Sequence, residues 1–268
     1  MLSARLGLVC SLVLLPACAQ VSSETLSPET ERIAPRQHGL IRDFHDHFDG
    51  TSTSTNWSGY AVLGSSFTSA KGSWTVPTAT CTSGDKYAAF WVGLDGYSSS
   101  TVEQTGTDSD CVGRNPSYYA WYEFYPHPSF EISSLSIRPG DRMSASVVYS
   151  GGEFTITITD ETTGRSYTKS STVSGAKRTS AEWIAEAPCC TGGGGILPLS
   201  DFGTILFGED TSGVSGTNYA TDSTTSGPIS SFSSVEEINK VGSSSSPQTS
   251  TCSALSTDGT SFSCTWAN

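Results

Sequence analysis

The sequence is poor in charged side chains, and basic residues are the scarcer kind. Of its 268 residues 15% are Asp, Glu, Lys or Arg, and 14 Lys and Arg stand against 26 Asp and Glu, which gives a formal net charge of −12. Nucleic-acid binding needs a basic face, and none is visible here. The composition argues against a nucleic-acid partner, and the low charge together with 27 Gly excludes a coiled coil or long-helix protein.

Histidine is nearly absent from most of the chain. Three of its four copies lie within residues 38–47, and the fourth is His127, which stands between two prolines. A Ser-His-Asp or Cys-His mechanism needs an imidazole base, so these mechanisms fit poorly. A zinc site is also disfavoured, because no cysteine pair has Cys-x-x-Cys spacing. Pepsin-type chemistry needs two Asp-Thr/Ser-Gly turns, and the nearest string, residues 210–213, has an extra residue and occurs once.

Long apolar runs are missing except at the start of the chain. Arg5 precedes an apolar stretch from Leu6 to Leu15, and small residues follow up to residue 20. This pattern is typical of a secretory signal peptide at residues 1–20. Cys18 could instead mark a lipoprotein cleavage site, a pattern that Pro16 fits poorly. No later segment approaches the roughly 18 apolar residues of a membrane span, so we expect a soluble, secreted protein.

The next segment, residues 21–55, differs in composition from the remainder of the chain. It carries Arg32, Arg36 and Arg42 with three histidines and two prolines, and it shows little apolar periodicity. Between a signal peptide and a globular body, such a segment is typical of a propeptide. A disordered linker is the alternative.

Cysteine usage favours disulfides. Six of the eight cysteines remain after the predicted signal peptide, and an even number in an exported chain indicates bridges. We expect Cys252 to pair with Cys264 across a hairpin, and Cys81 with Cys111 as a second pair. The adjacent Cys189 and Cys190 are left as a vicinal bridge or as partners for cysteines elsewhere.

From residue 56 onward, short β-prone runs are separated by Gly, Ser, Asp and Pro. This spacing predicts an antiparallel sandwich or barrel in one domain, residues 56–268, with no helix of three turns and with further strands within 229–241. The predicted strands are 60–63, 72–76, 88–94, 118–125, 143–149, 154–159, 180–187 and 203–207.

Two predicted strands place carboxylates among apolar side chains. Period-two alternation puts Trp121, Glu123 and Tyr125 on one face of a strand, which suits a substrate cleft but also an ordinary wet sheet face. The same alternation puts Glu182 and Glu186 on one face of another strand. Buried unpaired carboxylates are costly, so this pair is either solvated or functional. Two glutamates across an aromatic groove would also describe a glycosidase.

Four ordered motifs, with additional matches at both ends, resemble the glutamic peptidases, or eqolisins. The motifs are Trp-Val-Gly-Leu-Asp-Gly at residues 91–96, Gln-Thr-Gly at 104–106, Ala-Trp-Tyr-Glu-Phe-Tyr-Pro at 120–126 and Ala-Glu-Trp-Ile-Ala-Glu at 181–186. Asn-Trp-Ser-Gly-Tyr at 56–60 and the 252–264 hairpin match as well. The resemblance covers roughly residues 55–268. It implies a two-sheet antiparallel β-sandwich of the concanavalin A-like, jelly-roll type, with the active site on a concave sheet face.

The resemblance also implies an activity and its residues. It implies a secreted zymogen that acts as an endopeptidase on polypeptides at acidic pH, without a metal or organic cofactor, and we expect a monomer. Gln104 and Glu186 would be the catalytic dyad. Residues lining the cleft would be Trp57, Trp91, Asp95, Trp121, Glu123 and Tyr125. The sequence departs from the pattern of the family at three places. These are Glu103, which precedes Gln104, Pro188, which follows shortly after Glu186, and the adjacent Cys189 and Cys190.

The dyad is chemically coherent without histidine. Ionised Glu186 would take a proton from the attacking water and pass it to the leaving amine. The Gln104 amide would donate an N–H to the developing oxyanion. A carbohydrate-binding sandwich, or a glycosidase using Glu123 and Glu186, is the alternative from another class.

Activation can be predicted from the propeptide composition. At neutral pH its arginines would hold it against acidic groups at the cleft, and acid would protonate its histidines and then the carboxylates. We expect self-cleavage near residues 50–56 to follow. The alternative is a folding aid that another protease trims.

Overall fold

The computed structural model describes residues 31–47, 50–189 and 195–268, and this part of the chain is almost entirely β-structure. The strands are β1 (Arg32–Ile33), β2 (His45–Asp46), β3 (Thr51–Ser54), β4 (Trp57–Leu63), β5 (Ser69–Thr75), β6 (Ala89–Asp95), β7 (Val102–Val112), β8 (Asn115–Tyr125), β9 (Phe130–Glu131), β10 (Arg142–Ser150), β11 (Glu153–Asp160), β12 (Arg165–Ser171), β13 (Ser180–Glu186), β14 (Thr204–Phe207), β15 (Tyr219–Thr221), β16 (Ser226–Pro228), β17 (Val235–Lys240), β18 (Thr249–Cys252) and β19 (Phe262–Ala267). Two short helical turns accompany them, α1 (Glu209–Ser212) and a 3-10 turn (Ile229–Ser231).

The strands form two layers. The first sheet runs β3–β17–β4–β13–β6–β7–β8–β9–β1, and only the β17–β3 pair in it is parallel. The second runs β12–β11–β10–β5 and continues through β14 to β19 and β18. A single register pair between β17 and β18 joins the two layers. The predicted two-sheet antiparallel sandwich is confirmed.

The core lies between the two sheets and is made by alternation along the strands. Strand β11 alternates buried and partly exposed residues, so Phe154, Ile156 and Ile158 point inward. From the first sheet, Phe90 and Trp183 enter the same buried cluster. Each such side chain contributes about 1.5 to 3 kcal/mol by leaving water, which makes this layer the main source of stability.

Tight turns keep the outer hairpins in register. Gly151 and Gly152 connect β10 to β11, and both have positive φ angles, 62° and 92°. A two-residue turn with two left-handed residues matches the twist of the flanking strands. Glycine takes up this conformation without steric cost.

Both expected disulfides are present. Cys252 lies directly opposite Cys264 on neighbouring strands β18 and β19 and is bonded to it. Cys81 is bonded to Cys111. These two predictions are confirmed, whereas Cys190, and with it the predicted alternatives for the 189–190 pair, lies outside the described residues.

The eight predicted runs all contain strands, but two long strands, β7 and β12, were missed together with several strands of two to four residues. Strand β12 is polar and half exposed, and β7 contains only a few apolar residues although nearly all of it is buried. The predicted extra strand within 229–241 is β17. The longest helix in the described part of the chain, α1, has four residues. No helix among the described residues is long and apolar enough to cross a membrane, and the predicted signal peptide lies outside them.

Candidate active site

Four adjacent strands, β13, β6, β7 and β8, bring the predicted dyad to one face of the first sheet. In one row across the sheet, Glu182 lies opposite Gly93, Gly93 opposite Gln104, and Gln104 opposite Glu123. Glu186 lies four residues along β13 from Glu182, and side chains four apart on a strand share a face. The sheet therefore places Gln104, Glu123 and Glu186 on the face that points away from the inter-sheet core.

Glu186 is buried and held by three donors. Its Oε2 accepts a hydrogen bond from Trp91 Nε1 at 2.9 Å, and its Oε1 accepts bonds from Asn56 Nδ2 at 3.2 Å and from the backbone N–H of Gly39 at 3.3 Å. Burial raises the pKa of Glu186 to about 8, although all three hydrogen bonds favour the ionised form and oppose this rise. In this arrangement Glu186 carries a proton at acidic pH.

Gln104 faces a second buried carboxyl group. Its Nε2 donates to Glu123 Oε2 at 2.8 Å. Burial, and then the nearby Glu186, raise the pKa of Glu123 well above its ordinary value. The Gln104 amide and the Glu123 side chain from β8 thus form a fixed pair beside Glu186.

Aromatic side chains surround these groups. The rings of Trp57 and Trp91 meet edge to face with centroids 5.0 Å apart, and both are fully buried with Trp121 in one cluster on this face of the sheet. Tyr125 packs against the same cluster. Gly106 makes room for Trp91, because a Cβ at Gly106 would lie 2.6 Å from the Trp91 Cβ and 2.2 Å from the Phe90 carbonyl oxygen.

Two predicted positions serve other contacts. The Asp95 carboxylate accepts backbone N–H bonds from Lys177, Arg178 and Thr179 at 2.7 to 3.0 Å, so it fixes the loop before β13. That Asp95 lines the substrate cleft stays a prediction. Glu103 does not face solvent; burial, and then Asp95, raise its pKa to about 9.

The segment 31–47 lies along this face of the sheet. Its backbone N–H groups donate to loop carbonyls, from Ala34 to Ser129 at 2.8 Å and from Ile41 to Gly96 at 3.4 Å. Gln37 forms a two-way antiparallel bridge with Cys189, just after β13. Ala34 is buried within the aromatic cluster of the face. The described part of residues 21–55 therefore covers the dyad.

His38 occupies a closed pocket next to the dyad. Its ring stacks on Trp121 with centroids 3.5 Å apart and 6° between the planes, and its Nε2 lies 3.1 Å from Asp108 Oδ1. Its Nδ1 lies 3.4 Å from Ser129 Oγ, while Tyr119 donates its hydroxyl to the other Asp108 oxygen at 2.6 Å. His38, Asp108 and Trp121 are each fully buried.

Sequence reasoning missed Asn56, Asp108 and Tyr119 as individual site residues. Asp108 follows Gln104 by four residues on β7, so alternation alone would have placed both on one face had the strand been recognised. Nothing in the sequence pattern indicated that Gly39 would contact Glu186. Within the described ranges, no group of three or more His, Cys, Asp or Glu side chains is arranged to hold a metal ion.

Comparison with known proteins gives consistent matches. The sequence profile described as the Peptidase A4 family matches residues 55–266. The chain is 33% identical to aspergillopepsin-2 of Aspergillus niger over 186 residues, 60% of this chain and 65% of that protein. It is 38% identical to scytalidopepsin B of Scytalidium lignicola over 139 residues, 49% of this chain and 51% of that protein. The matched part thus spans less than two thirds of each curated relative.

A solved structure resembles the whole sandwich. The structure of scytalido-glutamic peptidase with a transition state analog inhibitor superposes with a TM-score of 0.65 and 28% sequence identity. The superposition covers 80% of this chain and 98% of that one.

Proposed function

This chain belongs to the peptidase A4 family, the eqolisins, and from that premise we propose that it is a secreted acid endopeptidase whose dyad is Glu186 and Gln104. One observation carries the proposal: a stretch of polypeptide lies against this face of the sheet with a backbone N–H of Gly39 on Glu186 Oε1. A group that protonates the leaving amine has to come within hydrogen-bond reach of the main-chain nitrogen, and Glu186 is at about that distance from a bound chain.

The mechanism divides the work between the two side chains. Ionised Glu186 takes a proton from the water that attacks the peptide carbonyl, and it then returns that proton to the leaving amine. The Gln104 amide donates an N–H to the carbonyl oxygen as negative charge develops there. Trp91 and Asn56 position the Glu186 carboxyl by hydrogen bonds to its two oxygens.

The covering segment 31–47 accounts for an inactive precursor. While Gly39 excludes water from Glu186, burial keeps its pKa at about 8, and a protonated carboxyl cannot act as the base. Departure of the segment lets water reach Glu186, which lowers the cost of its ionised form. The predicted propeptide at residues 21–55 thus acts by covering the dyad and by holding its base neutral.

Contacts of the segment fit an acid-triggered release. Arg32 pairs with Glu131 at 3.7 Å, and Arg36 lies over the Tyr87 ring at 3.7 Å. The guanidinium of Arg36 also lowers the pKa of Asp110, which burial and Asp108 together raise well above the ordinary value. Protonation of acidic groups on this face weakens these attractions. The two disulfides fit an exported protein, because they persist in oxidising compartments.

The test uses the full chain and two matched variants. At about pH 4 the wild-type protein should digest a denatured protein, and Glu186→Gln should lose at least 100-fold in rate, since the base is removed while the shape is kept. Glu182→Gln is the control, because Glu182 is a buried glutamate on the same face of β13. A rate for Glu186→Gln within tenfold of wild type would refute the assignment. A polysaccharide tested in parallel should stay intact, and its hydrolysis would favour the glycosidase alternative.

A further inference from the structure

A carboxylate is held at the edge of the sandwich, away from the dyad. Glu31, at the start of the covering segment, extends its side chain between the two sheets there. Its Oε1 accepts a hydrogen bond from the Tyr122 hydroxyl of β8 at 2.8 Å and also pairs with the Lys169 ammonium of β12. One strand of each sheet thus contributes a donor to the same carboxylate oxygen. We call this site, formed by Tyr122, Phe130 and Lys169, the edge pocket.

The edge pocket lies on the opposite face of the first sheet from Glu186. Tyr122 and Glu123 are neighbours on β8, so their side chains point to opposite faces. Tyr122 belongs to the core cluster between the sheets, and its ring stacks with Phe130 and Tyr167 at centroid distances of 5.4 and 5.6 Å. The edge pocket is therefore separate from the face that carries the dyad.

The donors of the edge pocket belong to the predicted catalytic domain and not to the covering segment. Tyr122 is 2% exposed, and its stacked ring fixes the position of its hydroxyl. Lys169 forms no ion pair with any other described residue. Beside Glu31 there is a cavity of about 240 Å³, lined in part by Phe124 and His127. Departure of the segment would leave an ammonium and a hydroxyl donor facing this cavity, which favours binding of another carboxylate.

The edge pocket also favours the ionised form of the carboxyl group that it holds. The hydrogen bonds from Lys169 and then from Tyr122 lower the pKa of Glu31 below its ordinary value, against the opposing effect of burial. A free glutamate side chain has a pKa of about 4.3 and is mostly protonated below it. The pocket can therefore bind a negative charge at the acidic pH proposed for the enzyme.

Backbone pairing beside the edge pocket shows how a chain reaches it. Residues 32–33 of the segment form β1 and pair antiparallel with residues 130–131 of β9. The backbone N–H of Ala34 then donates to the Ser129 carbonyl at 2.8 Å. Main-chain pairing of this kind accepts many sequences, whereas a pocket beside it selects one side chain. The edge of β9 and the edge pocket together have both parts of a site for an extended chain.

One chain can occupy the edge pocket and reach the dyad at the same time. In the covering segment Glu31 lies in the edge pocket, and the N–H of Gly39, eight residues further on, donates to Glu186. Eight residues span at most about 26 to 29 Å. A substrate on the same path would have its acidic side chain about eight positions before the residue that meets Glu186.

We propose that the edge pocket and the edge of β9 form an exosite of the activated enzyme, which binds an acidic side chain of an extended polypeptide substrate far from the hydrolysed bond. In the precursor Glu31 of the covering segment occupies this exosite. The inference rests on the proposed peptidase function. The substrates that it favours are chains with a glutamate or aspartate about eight positions before the residue bound at Glu186.

The first experiment measures binding without hydrolysis. Acid-treated wild-type chain is separated from released fragments, and capped peptides of residues 30–37 with Glu or Gln at position 31 are titrated into it by calorimetry at pH 6. These peptides end before Gly39 and do not extend to Glu186. The Glu peptide should bind at least threefold more tightly; a larger factor is not required, because the Lys169 and Glu31 side chains are 39% and 40% exposed. Equal affinities, or no binding, would overturn the exosite.

Variants assign this preference to the edge pocket. Lys169→Gln removes the charge and should make the two affinities equal. Tyr122→Phe removes the hydroxyl, keeps the ring and should at least halve the preference. Lys71→Gln is the matched control, since Lys71 is an exposed lysine on β5 of the second sheet, and it should keep the preference. A preference that survives Lys169→Gln would overturn the edge pocket as the binding site.

A kinetic experiment tests the selection of substrates. A peptide that the acid-activated enzyme cleaves is extended at its N-terminus so that Glu or Gln stands eight positions before the cleaved bond. The Glu peptide should have a KM at least threefold lower with kcat within twofold, because the exosite binds substrate and transition state alike. Glu placed four positions before the bond is the control for spacing and should give no advantage. Equal KM values at eight positions would overturn the selection, whereas absence of all hydrolysis would refute the proposed function and leave the binding experiment to decide the exosite.

The contact within the precursor can be measured without hydrolysis or release. In the Glu186→Gln full-length chain at pH 7, Lys169→Gln should raise the rate at which trypsin cuts after Arg32 at least threefold. The same change should have no effect in a chain that already carries Glu31→Gln, because the pair is then absent. No effect in either chain, or an equal effect in both, would overturn the role of Lys169 as the partner of the carboxylate.

Discussion

The two faces of the first sheet are both dry, but for different reasons. The inner face is dry because apolar residues such as Phe90 and Trp183 pack against the second sheet. The outer face carries Glu123 and Glu186 and is dry because residues 31–47 cover it. Burial on the inner face is a permanent property of the fold, whereas the proposed release of the segment would expose the outer face to water.

The largest expected effect concerns the outer face. Gln104→Ala should reduce kcat/KM of the acid-activated enzyme 100-fold or more, since it removes a donor aimed at developing charge. The measurement is hydrolysis of a peptide that the wild type cleaves. Full activity in Gln104→Glu would contradict the need for an amide at this position.

Truncation of a side chain in the core between the sheets should lower the free energy of unfolding by the same amount in the precursor and in the acid-activated enzyme. Trp183→Ala removes a buried indole that donates to the Lys71 carbonyl at 2.8 Å, and should lower the free energy of unfolding by about 3 to 5 kcal/mol before and after activation. Trp121→Ala should cost less after activation, because its partner His38 has left. Denaturant unfolding of both forms measures this, and equal costs for Trp121→Ala in the two forms would contradict the difference between the faces.

Stability should fall as pH rises. The pKa of Glu103 is raised to about 9, so the folded chain binds a proton that the unfolded chain releases near its ordinary value of 4.5. Its stabilising contribution is complete below about pH 4.5 and is lost as pH rises towards 9. Unfolding at pH 5 and pH 8 should differ by about 2 to 4 kcal/mol, and Glu103→Gln should reduce that difference. Replacement of the exposed Glu153 by Gln is the control, and an equal reduction there would speak against Glu103 as the source.

The smallest effect belongs to the surface contact of the segment. Arg32 is 73% exposed where it meets Glu131, and such pairs contribute about 0 to 1 kcal/mol. Arg32→Ala should therefore change the rate of activation less than about fivefold, in line with Arg165→Ala at the exposed first position of β12. A larger change would mean that charge rather than the His38 pocket holds the segment.

The sequence allowed most of the fold to be predicted because eight strands contain enough β-branched and aromatic residues to stand out. Strand β7 was missed, since Gln104, Thr107 and Asp108 are buried polar residues that no hydrophobic period detects. The dyad was predicted from motifs of the resembling family. The His38 pocket was not, because it joins residues about 70 positions apart and depends on the path of the segment.

The position of β3 determines how the proposed propeptide would act as an inhibitor. Only three residues separate His47 from Thr51, where β3 pairs with β17, so the segment is tethered next to the cleft at an effective concentration on the order of millimolar. A cut within residues 31–47 detaches its N-terminal piece and turns an intramolecular contact into an association between two molecules. Dilution then decides whether the piece stays bound. The same cut would free the enzyme fully in a dilute medium and only partly in a concentrated sample.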